Sequence, residues 1–144
     1  MFTSALACLA LTIYHEARNQ DLQGQVAVAQ VVLERVYDSR FPDTVCGVVT
    51  AGGEDRNRCA FSFYCGGQSD KPLNEDAYTV ARWIASGVLS GVVSDVTGYA
   101  THYHAYYVRP DWALTMRPTA VIGDHLFYRE SAGAEDHGPY VGRR

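Results

Sequence analysis

Ile13-Tyr14-His15-Glu16-Ala17-Arg18 closes an apolar run that begins near Thr3, and the reading of this stretch decides the fold. Leu6, Leu9, Ile13 and Ala17 recur at helical spacing and mark one inward face. Glu16 stands three positions after Ile13 and seven after Leu9, so the same face carries it. A carboxylate on an apolar stripe costs roughly several kcal/mol unless it is paired, protonated or open to a cleft. Two readings follow: a buried ion pair with Arg18 or another arginine, or a working acid whose pKa is raised by burial.

The run from Phe2 to Tyr14 is apolar enough to suggest a signal-peptide core. No Lys or Arg precedes it, no clear small-residue cleavage site follows, and it is too short to span a bilayer. It also leads straight into Glu16. The run is therefore expected to be a core helix, from about Thr3 to Ala17.

Working outward, Asn19-Gln20-Asp21 breaks this helix, and Asp21 is placed to cap the next one. The second helix is predicted over Leu22 to Tyr37, with Leu22, Val26, Ala29, Leu33 and Val36 inward and Gln23, Gln30 and Glu34 facing away. Phe41-Pro42-Asp43 ends that segment. The stretch from Thr44 to Leu73 reads as loop, with a short turn at Val45 to Val49. A third long helix starts at an Asn74 cap, with Glu75 and Asp76 suiting the dipole in its first turn. It presents Ala77, Val80, Ala81, Ile84 and Val88 inward, and Gly91 stops it past Leu89. Tyr99 to Tyr107 alternates as a strand does, and Trp112 to Thr115 and Leu126 to Arg129 are further strand candidates, joined by a segment holding Pro118 and Gly123. Residues from Ser131 onward are polar and read as a loose tail. The expected organisation is one α+β domain over residues 1–130 and a tail over 131–144.

Composition narrows the function. The 144 residues suffice for one core, and 47% apolar with 19% charged describes an ordinary globular chain. A net charge of -4 argues against nucleic acid, whose phosphates need a basic surface, and gives no attraction to an anionic membrane. Ten tyrosines suit a groove for sugars or peptides, although tyrosine is also common in cores.

Cys8 lies one position before Leu9 on the first helix and is expected to be a buried free thiol. Cys46, Cys59 and Cys65 cluster in the loop. A staple from Cys46 to Cys65 or from Cys59 to Cys65 is expected in an oxidising compartment, leaving one cysteine of the cluster unpaired. Zinc is disfavoured because no Cys-x-x-Cys pair occurs. His102 and His104, two apart on a strand, share a face, and with His15 and His125 they raise a metal reading. No His-Glu-x-x-His element accompanies them, so the expectation is no metal and no cofactor. No Gly-x-Ser-x-Gly supports a serine triad, and neither Cys59 nor Cys65 opens a helix that would favour its thiolate.

Several of these segments together resemble the SleB/CwlJ family of cell-wall hydrolases. The resemblance starts with Ile13-Tyr14-His15-Glu16-Ala17-Arg18 and Gly24-Gln25-Val26-Ala27-Val28-Ala29-Gln30-Val31-Val32-Leu33-Glu34-Arg35-Val36. It continues through Cys59-Ala60-Phe61-Ser62-Phe63-Tyr64-Cys65-Gly66-Gly67, similar to the family's Cys-Gln-Phe-Ser loop. It ends with Ala100-Thr101-His102-Tyr103-His104-Ala105, Pro110-Asp111-Trp112-Ala113 and Ile122-Gly123-Asp124-His125-Leu126-Phe127-Tyr128. This chain departs from the family pattern at Asn19 and Gln20, where Gly-Glu is usual, at Ala60, where Gln is usual, and at Gly67, where an Asp is common nearby.

The resemblance implies a lysozyme-like fold, a helical lobe and a smaller β-containing lobe around a glycan groove. It implies a catalytic glutamate at Glu16. The implied substrate is the peptidoglycan glycan strand, cut between N-acetylmuramic acid and N-acetylglucosamine by lytic transglycosylation. Such an enzyme works at the cell wall, in the periplasm or outside the cell, and the short single-domain chain, expected to be a monomer, leans toward a phage endolysin. Asp21, Asp43, Asp70, Asp111 and Asp124 read as caps, turns or solvated loop residues, so Glu16 stands alone as the acid. Hydrolysis would need a second carboxylate. A metal- or cysteine-dependent amidase or peptidase is the alternative on the same polymer. Ser62, Tyr103 and His104, with Phe63 and His102, are the expected substrate contacts, and Phe61 and Trp112 are sugar-stacking, wall or core residues.

Overall fold

The computed structural model of the protein describes residues 4–52, 59–65 and 71–130. The tail expected at 131–144, Gly67 and Asp70 lie outside the described residues. Helix α1 spans Ala5–Ala17, α2 Leu22–Tyr37, α3 Val45–Val49, α4 Ser62–Cys65 and α5 Glu75–Leu89. Strands β1 (His102–Ala105), β2 (Met116–Ile122) and β3 (His125–Glu130) form an antiparallel sheet in the order β1-β3-β2.

Each longer helix starts where a short polar side chain supplies the missing acceptor. Ser4 accepts from the Ala7 N–H, Asp21 from Gly24 and Asn74 from Ala77, at 3.0 Å each. Each such cap contributes about 1 kcal/mol. Leu9, Ile13 and Ala17 are fully buried, so the predicted inward face of α1 is its core face. Burial of a side chain such as Leu9 or Ile13 contributes roughly 1.5–3 kcal/mol. These residues meet Ala29, Val32 and Leu33 of α2, Val48 and Val49 of α3, and Ala81, Ile84, Ala85 and Val88 of α5. Gly91, at φ 80°, ends the last helix as predicted.

Helix α2 corrects the one-faced reading. Gln30 and Glu34, expected outside, are fully buried, while Leu22, expected inside, is 54% exposed. The reason is that α2 is covered on both flanks. Ala29, Val32 and Leu33 face the helices, whereas Ala27 and Val31 pack against Ala100, Ile122 and Phe127 of the sheet region. Between these flanks the Gln30 amide donates to Ser94 O at 2.9 Å and accepts from the Val96 N–H at 2.9 Å. A polar residue in the middle of an apolar helix thus anchors the loop that leads into the sheet. Val80 of α5, expected inward, is likewise exposed.

The last third departs further. Strand β1 covers only His102–Ala105, shorter than the predicted Tyr99 to Tyr107. On one side the Asp95 carboxylate collects the N–H groups of Thr97, Gly98 and Tyr99, which bends the chain and holds Tyr99 at φ 61°. The Trp112 to Thr115 strand candidate is a 3-10 helix, Asp111–Leu114, closed by i to i+3 bonds from Ala113 to Pro110 and from Thr115 to Trp112. The segment read as a connector is strand β2. It tolerates Pro118 because it lies at the sheet edge and its register shifts between Pro118 and Ala120.

The cysteine pairing also differs. Cys8 is not a free thiol: it bridges to Cys46 and pins α1 to α3. The Cys59–Cys65 staple forms as one of the two expected pairs. Neither the Cys46–Cys65 bridge nor an unpaired cysteine occurs, since all four cysteines are bonded.

Candidate active site

Glu16 sits in the last turn of α1 and is half-buried. The Tyr103 hydroxyl, on β1, donates to its Oε1 at 2.7 Å. One hydrogen bond thus joins the helical lobe to the sheet across 87 positions of sequence. Burial raises the Glu16 pKa above the ordinary 4.5, against the opposing pull of the Tyr103 hydrogen bond and of the nearby His15. The negative end of the helix dipole also disfavours the anion there. Burial and the Glu16 carboxylate together push the Tyr103 hydroxyl well above its usual range, so it remains a donor.

The ion-pair reading of Glu16 finds no support among the described residues: no arginine there pairs with it. Arg18 turns back along its own helix, donating to Tyr14 O at 3.1 Å and lying over the Tyr14 ring at 4.6 Å. Arg35 donates to Thr101 O at 2.7 Å and is held between the rings of Phe41 and Phe61. This bond fixes the residue that enters β1, two positions before Tyr103.

Strand alternation sorts the remaining candidates. Tyr103 shares its face with Phe127 and His125, at ring distances of 5.6 and 5.0 Å. His102 and His104 share the opposite face, as their spacing predicts, and both contact Trp112. His104 also hydrogen-bonds the Tyr128 hydroxyl at 2.8 Å. Burial, then Arg35 and Arg40, lower the His102 pKa to about 4, so its ring is neutral at pH 7. Neither histidine is brought to Glu16. Phe63 of α4 stacks on His15 at 4.7 Å, one residue from Glu16, and Ser62 beside it is exposed. Phe61 is buried in the helical core. A cleft of about 780 Å³ opens between the last turn of α1 and the start of α5; His15 lines it and Glu16 does not.

The sequence points to Glu16 and to Tyr103 separately but not to the bond between them. Gln20, which the sequence marks only as a helix break and a departure from the family pattern, joins the lobes beside the site through its side-chain amide. Among the described residues no three His, Cys, Asp or Glu side chains cluster as metal ligands do. No helix there is long and apolar enough to cross a membrane. Cys59 and Cys65, either of which a cysteine peptidase would need as a free thiol, are bonded to each other.

The Tyr103–Glu16 bond yields a direct prediction. A hydroxyl donated to a carboxylate favours the anion. Tyr103→Phe is therefore expected to raise the Glu16 pKa further, read as an upward-shifted titration of its side-chain carbon by NMR.

A helical lobe, a small antiparallel sheet and a sheltered glutamate where they meet define a lysozyme-like α+β domain. Comparison with known proteins agrees. The catalytic domain of the germination-specific lytic transglycosylase SleB from Bacillus anthracis superposes with a TM-score of 0.72 at 30% identity, covering 90% of this chain and 97% of that one. The catalytic domain of the Bacillus cereus SleB protein gives 0.65 at 31% identity, covering 87% and 89%. The spore cortex-lytic enzymes of Oceanobacillus iheyensis and Bacillus cereus are 34% and 36% identical over 129 and 124 residues. Those matches cover 83% of this chain but only 39% and 42% of the relatives, so the chain spans about two fifths of their length. Residues 19–128 match the family model described as Cell Wall Hydrolase, a span that opens three residues after Glu16. The chain belongs to the cell wall hydrolase family.

Proposed function

We propose that this domain cleaves the glycosidic bond between N-acetylmuramic acid and N-acetylglucosamine in peptidoglycan, as a lytic transglycosylase with Glu16 as its single acid and base. The observation that carries this reading is the sheltered Glu16 with its raised pKa, held by Tyr103. Protonated Glu16 donates its proton to the glycosidic oxygen as the bond to the muramic C1 breaks. The positive charge that develops at C1 is met by the carboxylate left behind. The muramic C6 hydroxyl then attacks C1 and gives its proton to that carboxylate, which returns Glu16 to the acid form. The products are a 1,6-anhydromuramic end and a free N-acetylglucosamine hydroxyl.

A single carboxyl group suffices because the substrate supplies its own nucleophile, whereas a hydrolase needs a second carboxylate. Among the described residues, the side chains that act on Glu16 are Tyr103 and His15, and neither is a carboxylate. The relatives' names point the same way: one structural neighbour is called a lytic transglycosylase, and the sequence relatives are called spore cortex-lytic enzymes. The protein acts at the cell wall, as a monomer on glycan strands. Ser62 and Phe63, on the α4 side of His15, are proposed to touch the sugar. His102 and His104 are proposed to meet the strand farther along, on the Trp112 face.

Mass spectrometry of muropeptides released from purified peptidoglycan tests the reading. Anhydro ends are expected, each lighter by one water than a reducing end. Reducing ends alone would establish hydrolysis, and released peptides without cut glycans would establish an amidase or peptidase.

A further inference from the structure

We propose that Gln20 and Asp124 form a lock between the two lobes that positions Glu16 against Tyr103, making Gln20 a positioning residue for the reaction. The inference rests on the functional reading of Glu16 given above. Gln20 lies in the link between α1 and α2, and Asp124 lies in the turn between β2 and β3. The Gln20 amide nitrogen donates to Asp124 Oδ2 at 3.1 Å, and its Oε1 accepts from the Asp124 N–H at 3.1 Å. The two bonds run in opposite directions, so the side chain at position 20 must be both donor and acceptor. An amide is both. A carboxylate would keep the second bond but set one negative charge against another.

Both partners are anchored beside the site. The Gln20 N–H donates to Ala17 O, the residue after Glu16, at 2.9 Å. The Gln25 side chain donates to Gln20 O at 3.1 Å. On the sheet side, Asp124 O accepts from the Tyr106 N–H at 2.8 Å, three residues past Tyr103. Asp124 is followed by His125, whose ring packs edge-on against Tyr103 at 5.0 Å. The lock thus flanks the Glu16–Tyr103 bond on both lobes. Gly123 makes it possible: its φ is 57°, and a Cβ there would lie 2.4 Å from Gln20 Oε1.

The test is steady-state kinetics on soluble peptidoglycan fragments with three variants. Gln20→Glu is expected to lower kcat about tenfold with KM within about twofold, because misplacing the acid harms the chemical step more than binding. The double variant Gln20→Glu/Asp124→Asn exchanges donor and acceptor and is expected to recover kcat to within about twofold of wild type. If Gln20→Glu alone fails to fold, Gln20→Asn shortens the amide without adding charge and carries the same expectation of lowered kcat at constant KM. Wild-type kcat in the single variants, a loss confined to KM, or no recovery in the double variant would overturn the lock. Glu16→Gln is measured alongside. If it is active, the functional reading fails and this inference with it; if it is inactive while Gln20→Glu is indifferent, only the lock fails.

Discussion

Glu16→Gln removes the proton and keeps the shape, and it is expected to lower muropeptide release by roughly 10²- to 10⁴-fold, the usual contribution of a general acid. The new amide can still accept from the Tyr103 hydroxyl, so the lobes stay joined. A loss of rate in this variant is therefore a loss of chemistry. Stability should move the other way. Burial raises the Glu16 pKa in the folded state above 4.5, so ionising it costs folding free energy. That cost is absent below the unfolded pKa and grows as pH rises through the folded value. Glu16→Gln should therefore melt at or above the wild-type temperature at pH 8, with the advantage vanishing below about pH 4.5. Calorimetry at the two pH values checks the sign, and turbidity clearance checks the rate. A variant that clears peptidoglycan at the wild-type rate would end the catalytic role of Glu16.

The second large effect concerns the Cys8–Cys46 bridge. It closes a loop with a sequence separation of 38, whereas Cys59–Cys65 closes one of 6. Chain entropy alone assigns about 4 kcal/mol to the longer loop and about 2 kcal/mol to the shorter. Cys8→Ala/Cys46→Ala is expected to lower Tm on the order of 10 °C. Cys59→Ala/Cys65→Ala should lower it less, because the shorter loop restrains less of the unfolded chain. Thermal melts of the two double variants settle the order. Equal losses would show that loop length does not govern the effect.

Much of the helical lobe can be read from the chain because its signals are local. Caps at Asp21 and Asn74, a stop at Gly91 and spacing from Leu9 to Ala17 all lie within a few turns of what they specify. The place of Glu16 follows from the same spacing. Its partner does not. In His102-Tyr103-His104 the histidines draw attention, yet Tyr103 between them makes the contact, and only the sheet register decides which face meets α1. The cysteines mislead for a related reason. Closeness in sequence suggests pairing within the loop, but Cys8 reaches Cys46 because α1 and α3 pack together. The helical period of α2 places Gln30 and Glu34 toward solvent only if one flank is buried, and α2 has two buried flanks.

The outer strands of the sheet carry one more consequence. Strand β2 is interrupted by a register shift and by Pro118, which offers no N–H, and β1 is four residues long. Neither edge presents the long, regular ladder that another polypeptide needs to add itself. The sheet is thereby guarded against edge-to-edge association with other chains, and it owes that protection to the same irregularities that disguise β2 as a linker.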